Sequence, residues 1–207
     1  MSDNKIVIIG YSGHGLVVAE AAKTSGMNLQ CYTENKKMSI NPFYLDYLGY
    51  EGDAVFPHWD KPYDYILGIG NNAIRKKVAQ LVLSQNKRLL NVIDITAHIS
   101  EKTIIGRGNF IAKNAMINIL AEIGDYCVFN TGCIIEHECR IANGVHIAPG
   151  AALLGNVTVG EQSFIGANAV IKENIKIGRN VIIGAGSVVL KDVPDNSKIV
   201  GNPGRAI

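Results

Sequence analysis

Charge, long apolar runs and basic tracts are what this sequence has little of. Lys and Arg number 20 and Asp and Glu 18 among 207 residues, a net charge of +2 and a charged fraction of 18%. Without clustered Lys and Arg to neutralise phosphates, nothing electrostatic favours a nucleic-acid partner, and a membrane surface has no better support. The charged fraction lies below the roughly 25% of ordinary soluble domains, which points to surface buried between subunits. No run approaches the roughly 18 apolar residues of a membrane span, and the start MSDNKIVIIGYSGHG has no cleavable signal pattern, so a soluble cytoplasmic protein is expected. The four cysteines, Cys31, Cys127, Cys133 and Cys139, lack the paired C-x2-4-C spacing of zinc sites. With 47% hydrophobic residues over this length, disorder is excluded, and one large or two small domains can each bury a core.

Glycine is what the chain has in excess, 22 residues against an average of about 7%, and glycine marks backbone that bends or admits a close neighbour. From Lys5 to about Asp94 apolar runs alternate with helical patterns. Strands are predicted at 5–9, 29–32, 65–67 and 89–93, and helices at 15–25 and about 72–83. That alternation predicts a small parallel α/β sheet, βαβαβ and Rossmann-like, over residues 1–94. The irregular stretch 33–61 is long enough to be functional or to hold short elements of its own.

From Ile99 the period changes. Every sixth residue, through Ile105, Ile111, Ile117 and onward to Val189, is large and apolar without a slip. Four residues after each stands a mostly small one, such as Ala115, Cys127, Cys133, Cys139, Ala151 or Ser163, and glycine often follows the aliphatic residue directly. This is the hexapeptide signature of a parallel β-helix over residues 95–207. Three hexads close one triangular coil, residues 18 apart stack, and each coil needs its neighbours to bury its apolar face. The three regularly spaced cysteines occupy the small inward position, so they are core filler and no metal is expected.

Chemistry has three candidate places. Gly10-Tyr11-Ser12-Gly13-His14-Gly15, between the first strand and helix, brings backbone N–H groups to a helix N-terminus that favours phosphate. Its G-x-x-G-x-G order departs from the G-x-G-x-x-G of dinucleotide folds, which disfavours NAD. Gly68-Ile69-Gly70-Asn71-Asn72 ends another strand, with Asn72 as helix cap; two such loops at strand carboxyl ends together predict a phosphate-bearing ligand. Glu34 reads equally as a contact to ribose hydroxyls or as a solvated loop carboxylate. The third place is NTGCIIEHEC at 130–139, where His137 and Glu138 fall between inward positions Ile135 and Cys139. A histidine beside a carboxylate is a candidate general base, and an exposed histidine without a role is the other reading. His14, His58 and His98 have weaker cases.

Five motifs, GYSGHG at 10–15, GIGNNAIRKK at 68–77, NTGCIIEHEC at 130–139, LLGNVTVG at 153–160 and VGNPGRAI at 200–207, carry a resemblance. The chain resembles bacterial sugar acetyltransferases that join a nucleotide-sugar domain to a left-handed β-helix, especially the UDP-4-amino-sugar N-acetyltransferases of the bacillosamine pathway of protein glycosylation. The resemblance implies a left-handed coil, against the usual right-handed crossover. It also implies a homotrimer with pockets between subunits, and acetyl transfer from acetyl-CoA to a UDP-linked 4-amino-4,6-dideoxy sugar. Matched by position, His137 is the base, Glu138 its partner, Asn130 a contact to the amine and Gly155 the N–H donor to the thioester carbonyl. His146, Ala185 and Pro203 fall on the acyl-CoA side. Gly10, Ser12, Gly13, His14, Glu34, Gly70 and Asn71 fall on the nucleotide-sugar side.

Two departures stand out. The acidic pair often found after the second strand reads Thr33-Glu34, and the C-terminal G-x-P-A-[KR] pattern reads Gly201-Asn202-Pro203-Gly204-Arg205. No Ser or Cys sits at a nucleophile elbow, which favours direct transfer. The alternatives are a sugar O-acetyltransferase of the sialic acid type and a non-catalytic nucleotide-sugar-binding assembly protein. A metalloenzyme on the same coil needs a third stacked histidine, and His98, His137 and His146 are not multiples of 18 apart.

Overall fold

The computed structural model describes residues 4–207. The apolar run KIVII forms β1 (Lys5–Ile9), buried from Ile6 onward as befits a strand covered on both faces. There follow α1 (Gly13–Thr24), β2 (Leu29–Thr33), β3 (Asp46–Tyr47), β4 (Tyr63–Leu67) and α2 (Asn72–Ser84). The four strands are parallel in the order β3-β2-β1-β4, so their carboxyl ends share one edge. Short β3 lies inside the stretch predicted as irregular.

Helix α1 begins two residues ahead of the sequence expectation, because Ser12 already has the extended backbone of an N-cap (φ −104°, ψ −169°). Gly15 and Gly68 serve packing: a Cβ on either one would collide with the Gly10 carbonyl oxygen. Their bareness lets the first turn of α1 lie directly on the ends of β1 and β4.

The strand expected at 89–93 divides between the two halves. Leu89 bridges Tyr65 on the α/β sheet, whereas Val92–Ile93 pairs with Phe110–Ile111 of the coil. Asn91, between them, makes the turn: its side chain donates to Gly106 O (2.7 Å) and accepts from Asn109 N (2.8 Å).

The rest is a left-handed parallel β-helix of three faces. The first face runs from Val92–Ile93 through His146–Ile147 to Lys198–Val200, where antiparallel Arg205–Ala206 closes the edge. The second runs from His98–Ile99 to Val188–Val189 and the third from Ile104–Ile105 to Lys176–Ile177. Strands pair 18 residues apart, as in Ile123 with Ile141. Aliphatic and small positions alike point inward and are buried, each large one contributing roughly 1.5–3 kcal/mol of apolar burial. Cys127, Cys133 and Cys139 are buried and free, and burial pushes their thiols up to about 12, 12 and 11. Such thiols are inert filler.

From Gly108 to Gly186 each corner carries a left-handed residue three places after the aliphatic one, mostly Asn or Gly; the exceptions are Leu120, Tyr126, Glu138 and Gln162. The α/β unit docks on the first face, where Phe110 and Val128 join a core with Ile6, Tyr11 and Val18. Among the described residues no helix is long and apolar enough to cross a membrane, and no group of His, Cys, Asp and Glu is placed to hold a metal.

Candidate functional site

The loops leaving β1, β2 and β4 enclose a cavity of about 720 Å³, within the usual size of small-molecule sites. Gly10, Ser12, His14, Glu34, Gly70 and Asn71 line it, so both glycine loops and Glu34 meet there. Gly13, the first residue of α1, has open space where a side chain would stand. No side chain caps α1 and no acid stands in its first turn, which leaves this N-terminus suited to an anion. The N-terminus of α2 is different, because Asn71 rather than Asn72 caps it, accepting from Ile74 N at 3.0 Å. Asn72 instead turns to the coil and donates to Gln162 O and Ser163 O.

Glu34 is held at the cavity mouth, its carboxylate accepting from Tyr11 N (3.2 Å) and Asn35 N (3.0 Å). Thr33 stands where an acid was expected, and a second acid arrives from the following loop: Glu51 lines the same cavity, is 6% exposed and has no partner for Oε2. Burial pushes its carboxyl up, the Thr33 hydroxyl opposes that in part, and Glu34 and Asp53 add to it.

Arg75 joins the two halves. It is 1% exposed and donates to Tyr126 O (2.8 Å), Gly70 O (2.9 Å), Asn72 Oδ1 (2.9 Å) and Gly144 O (2.9 Å). Burial lowers it only to about 10, so it stays charged. Gly70 O also accepts from His146 Nδ1 at 3.2 Å, leaving the lone pair on Nε2, which lies 3.4 Å from Asn130 Nδ2. His146 is lowered to about 4 by burial and then by Arg75, and His14, its ring centroid 6.2 Å away, is lowered to about 4 for the same two reasons. Both rings are therefore neutral near pH 7. His146, which the resemblance puts beside acyl-CoA, sits in this buried seam with Asn130.

The third group is on a corner between the second and third faces. His137 and Gly155 are one coil apart, and the imidazole lies flat enough on Gly155 that a Cβ there would be 2.5 Å from His137 Cε1. Glu138 Oε2 is 3.0 Å from His137 Nδ1, a contact that favours the proton on Nδ1 and the lone pair on Nε2, which lies over Gly155. Both side chains are 55% exposed. Glu138 adopts φ +62°, a conformation costing a residue with a Cβ about 1 kcal/mol or more. Asn130 and Ala185 sit on the corners entering the second face, at its other edge, and Pro203 lies in the C-terminal turn with Leu190 and Val193. One chain thus brings together His137, Glu138 and Gly155 but not Asn130 or Ala185 with them.

Three features went unread in the sequence. The 18-residue step from His137 to Gly155 was available from the repeat. Arg75 falls on the buried stripe of α2 with Val78, Ala79 and Val82, a signal any charge on an apolar face gives. Glu51 lies in an irregular loop and had no such signal.

A coil of stacked hexads with a histidine, its carboxylate and a bare glycine at one corner defines a hexapeptide-repeat acyltransferase. Residues 5–82 match the PglD N-terminal domain and residues 156–191 match the bacterial transferase hexapeptide repeat. The chain belongs to the PglD- and PglB-type sugar N-acetyltransferase family. It is similar to the acetyltransferase domain of PglB from Neisseria gonorrhoeae (30% identity, 99% of this chain and 100% of that one, TM-score 0.91). It is also similar to a mutant perosamine N-acetyltransferase from Caulobacter crescentus solved with CoA and GDP-perosamine (29% identity, 100% and 98%, TM-score 0.93). GDP-perosamine N-acetyltransferase of Escherichia coli O157:H7 is 32% identical over 104 residues, 50% of this chain and 47% of that one. The chain spans about half the length of the curated relatives it matches first, serine acetyltransferases among them.

Proposed function

We propose that the protein transfers the acetyl group of acetyl-CoA to the amino group of a nucleotide-linked sugar. The observation that carries this reading is His137 stacked on Gly155 with Glu138 on its Nδ1. The amine nitrogen attacks the acetyl carbonyl while His137 Nε2 accepts the amine proton. The N–H of Gly155 donates to the developing oxyanion. As the C–S bond breaks, the proton held by His137 passes to the departing CoA sulfur. General-base catalysis supplies roughly 10²- to 10⁴-fold and one oxyanion donor about 10²- to 10³-fold. No covalent acyl-enzyme is needed.

The sugar is held by the α/β cavity, with its diphosphate at the bare N-terminus of α1. The sequence resemblance specifies the 4-amino group of a UDP-linked 4-amino-4,6-dideoxy sugar, and a similar structure holds GDP-perosamine; an amino sugar on a nucleoside diphosphate is common to both. Beyond His98, the outward side chains of the second face, Met116, Ile134, Ala152, Val170 and Val188, are apolar and suit packing of three copies. Such packing sets the His137 corner of one copy beside the Asn130 and Ala185 corner of the next, which completes the site.

The test is incubation with acetyl-CoA and UDP- or GDP-linked 4-amino-4,6-dideoxy sugar, following free thiol. The product is expected to carry an acetyl group that resists hydroxylamine, as an amide does and an ester does not. No thiol release above background overturns the proposal. Sedimentation is expected to give the mass of three chains.

A further inference from the structure

The far end of the α/β cavity holds a buried carboxylate, Glu51. Glu51, 6% exposed, has an Oε2 with no partner, and the only neighbouring donor that acts on its carboxyl is the fully buried Thr33 hydroxyl. Glu34 is committed to Tyr11 N and Asn35 N. The only Lys or Arg on the cavity wall is exposed Lys77, and no cation offsets the charge at Glu51. A buried acceptor left unpaired is costly and calls for donors from whatever fills the space.

The position of that acceptor fits a nucleobase. The glycine loops at β1 and β4 form the phosphate end. Glu51 follows β3, two strands from β1, or roughly 10 Å across the sheet, which leaves room for a ribose and a base beyond the phosphate. Ile74, Val78 and Leu81, on one stripe of α2, and the Tyr50 ring lying over Gly52 give the same cavity apolar surface for a flat ring.

Resting on the nucleotide-sugar reading above, we propose that Glu51 selects guanine as the base of the sugar nucleotide. An ionised carboxylate only accepts hydrogen bonds. Guanine presents two adjacent donors, N1–H and the N2 amino group, which a carboxylate meets in bidentate fashion. Uracil presents one N–H flanked by two carbonyl oxygens, which would face the carboxylate. Adenine and cytosine each set an acceptor nitrogen beside their amino group. Desolvation holds the empty carboxyl above its ordinary range, and two N–H donors favour the ionised form that binds them. The base is therefore guanine rather than the uracil that the sequence resemblance implies.

The experiment is calorimetric titration of the full chain with GDP, UDP and inosine diphosphate, which lacks only the N2 amino group of GDP. GDP is expected to bind about tenfold or more tighter than UDP, and inosine diphosphate weaker than GDP by a similar factor, the discrimination one bidentate base contact gives. In Glu51→Gln, GDP and inosine diphosphate are expected to converge to within about twofold while UDP is unchanged or tighter. The wild-type comparison of GDP with inosine diphosphate needs no variant, and thermal unfolding confirms that Glu51→Gln folds. UDP binding as tightly as GDP, or an equal loss for all three in Glu51→Gln, overturns the base assignment and leaves the nucleotide-sugar reading standing. Absence of binding by all three overturns both.

Discussion

In the α/β unit polar side chains are buried without partners, and in the coil they almost never are. His14 Nε2 and Glu51 Oε2 stand unpaired around the cavity, with His58 Nδ1, Asp64 Oδ2, Asp94 Oδ2 and the Tyr65 hydroxyl elsewhere in the same half, whereas beyond residue 95 only Gln162 Nε2 does so among the described residues. The coil satisfies its polar groups by repetition, stacking Asn118 on Glu136 (3.0 Å) and Asn156 on Asn174 (2.9 Å). Its reactive corner is built from exposed side chains on a saturated scaffold. The α/β cavity is the opposite, lined by polar groups that the protein itself leaves unmet. In the proposed function binding and chemistry divide along that line, and the hydrogen bonds of Arg75 and His146 tie the two halves together.

The largest test of the tie is Arg75→Leu. It leaves the Tyr126 and Gly144 carbonyls without their donor and Gly70 O with His146 alone, and is expected to lower unfolding free energy by about 3 kcal/mol or more, read from chemical denaturation. A loss under 1 kcal/mol would mean that the halves are held by apolar packing alone. Acid sharpens the same contrast. His14 and His146 titrate near 6.5 when unfolded and about 4 when folded, so between those values the unfolded chain binds more protons. Stability is complete above about pH 6.5 and falls as pH drops toward 4, by up to about 3 kcal/mol per ring. Urea midpoints at pH 7.5 and 4.5 measure it, and His146→Gln is expected to flatten the dependence.

On the coil the expected effects are on rate. Gly155→Ala places a Cβ against the His137 ring and is expected to cut kcat about 100-fold with stability little changed, since the exposed ring can turn away. Glu138→Asn removes the carboxylate but suits the left-handed backbone. Its kcat is expected to fall about tenfold or more while its melting temperature holds or rises; an unchanged rate would deny Glu138 any part in orienting His137.

The coil was legible in the sequence because its period leaves one answer: aliphatic and small positions from Ile99 to Val189 all point inward as counted. The glycine loops were legible as loops, yet Gly15 and Gly68 proved to serve helix-to-strand contact, which a composition cannot distinguish from ligand contact. Val92–Ile93 read as continuous with Leu89 because nothing local reveals that Asn91 hands the chain to the coil. Arg75 gave a signal on the apolar stripe of α2, but its partners across the seam, Tyr126 and Gly144, lie tens of residues away, and Glu51 gave none, because it stands in an irregular loop without a partner for Oε2.

The division itself is tested most directly by His137→Ala, measured for both nucleoside diphosphate affinity and acetyl-transfer rate. Unchanged affinity with kcat lowered about 100-fold or more is the predicted result. A retained rate, or an affinity lost together with it, would contradict the separation of binding from chemistry.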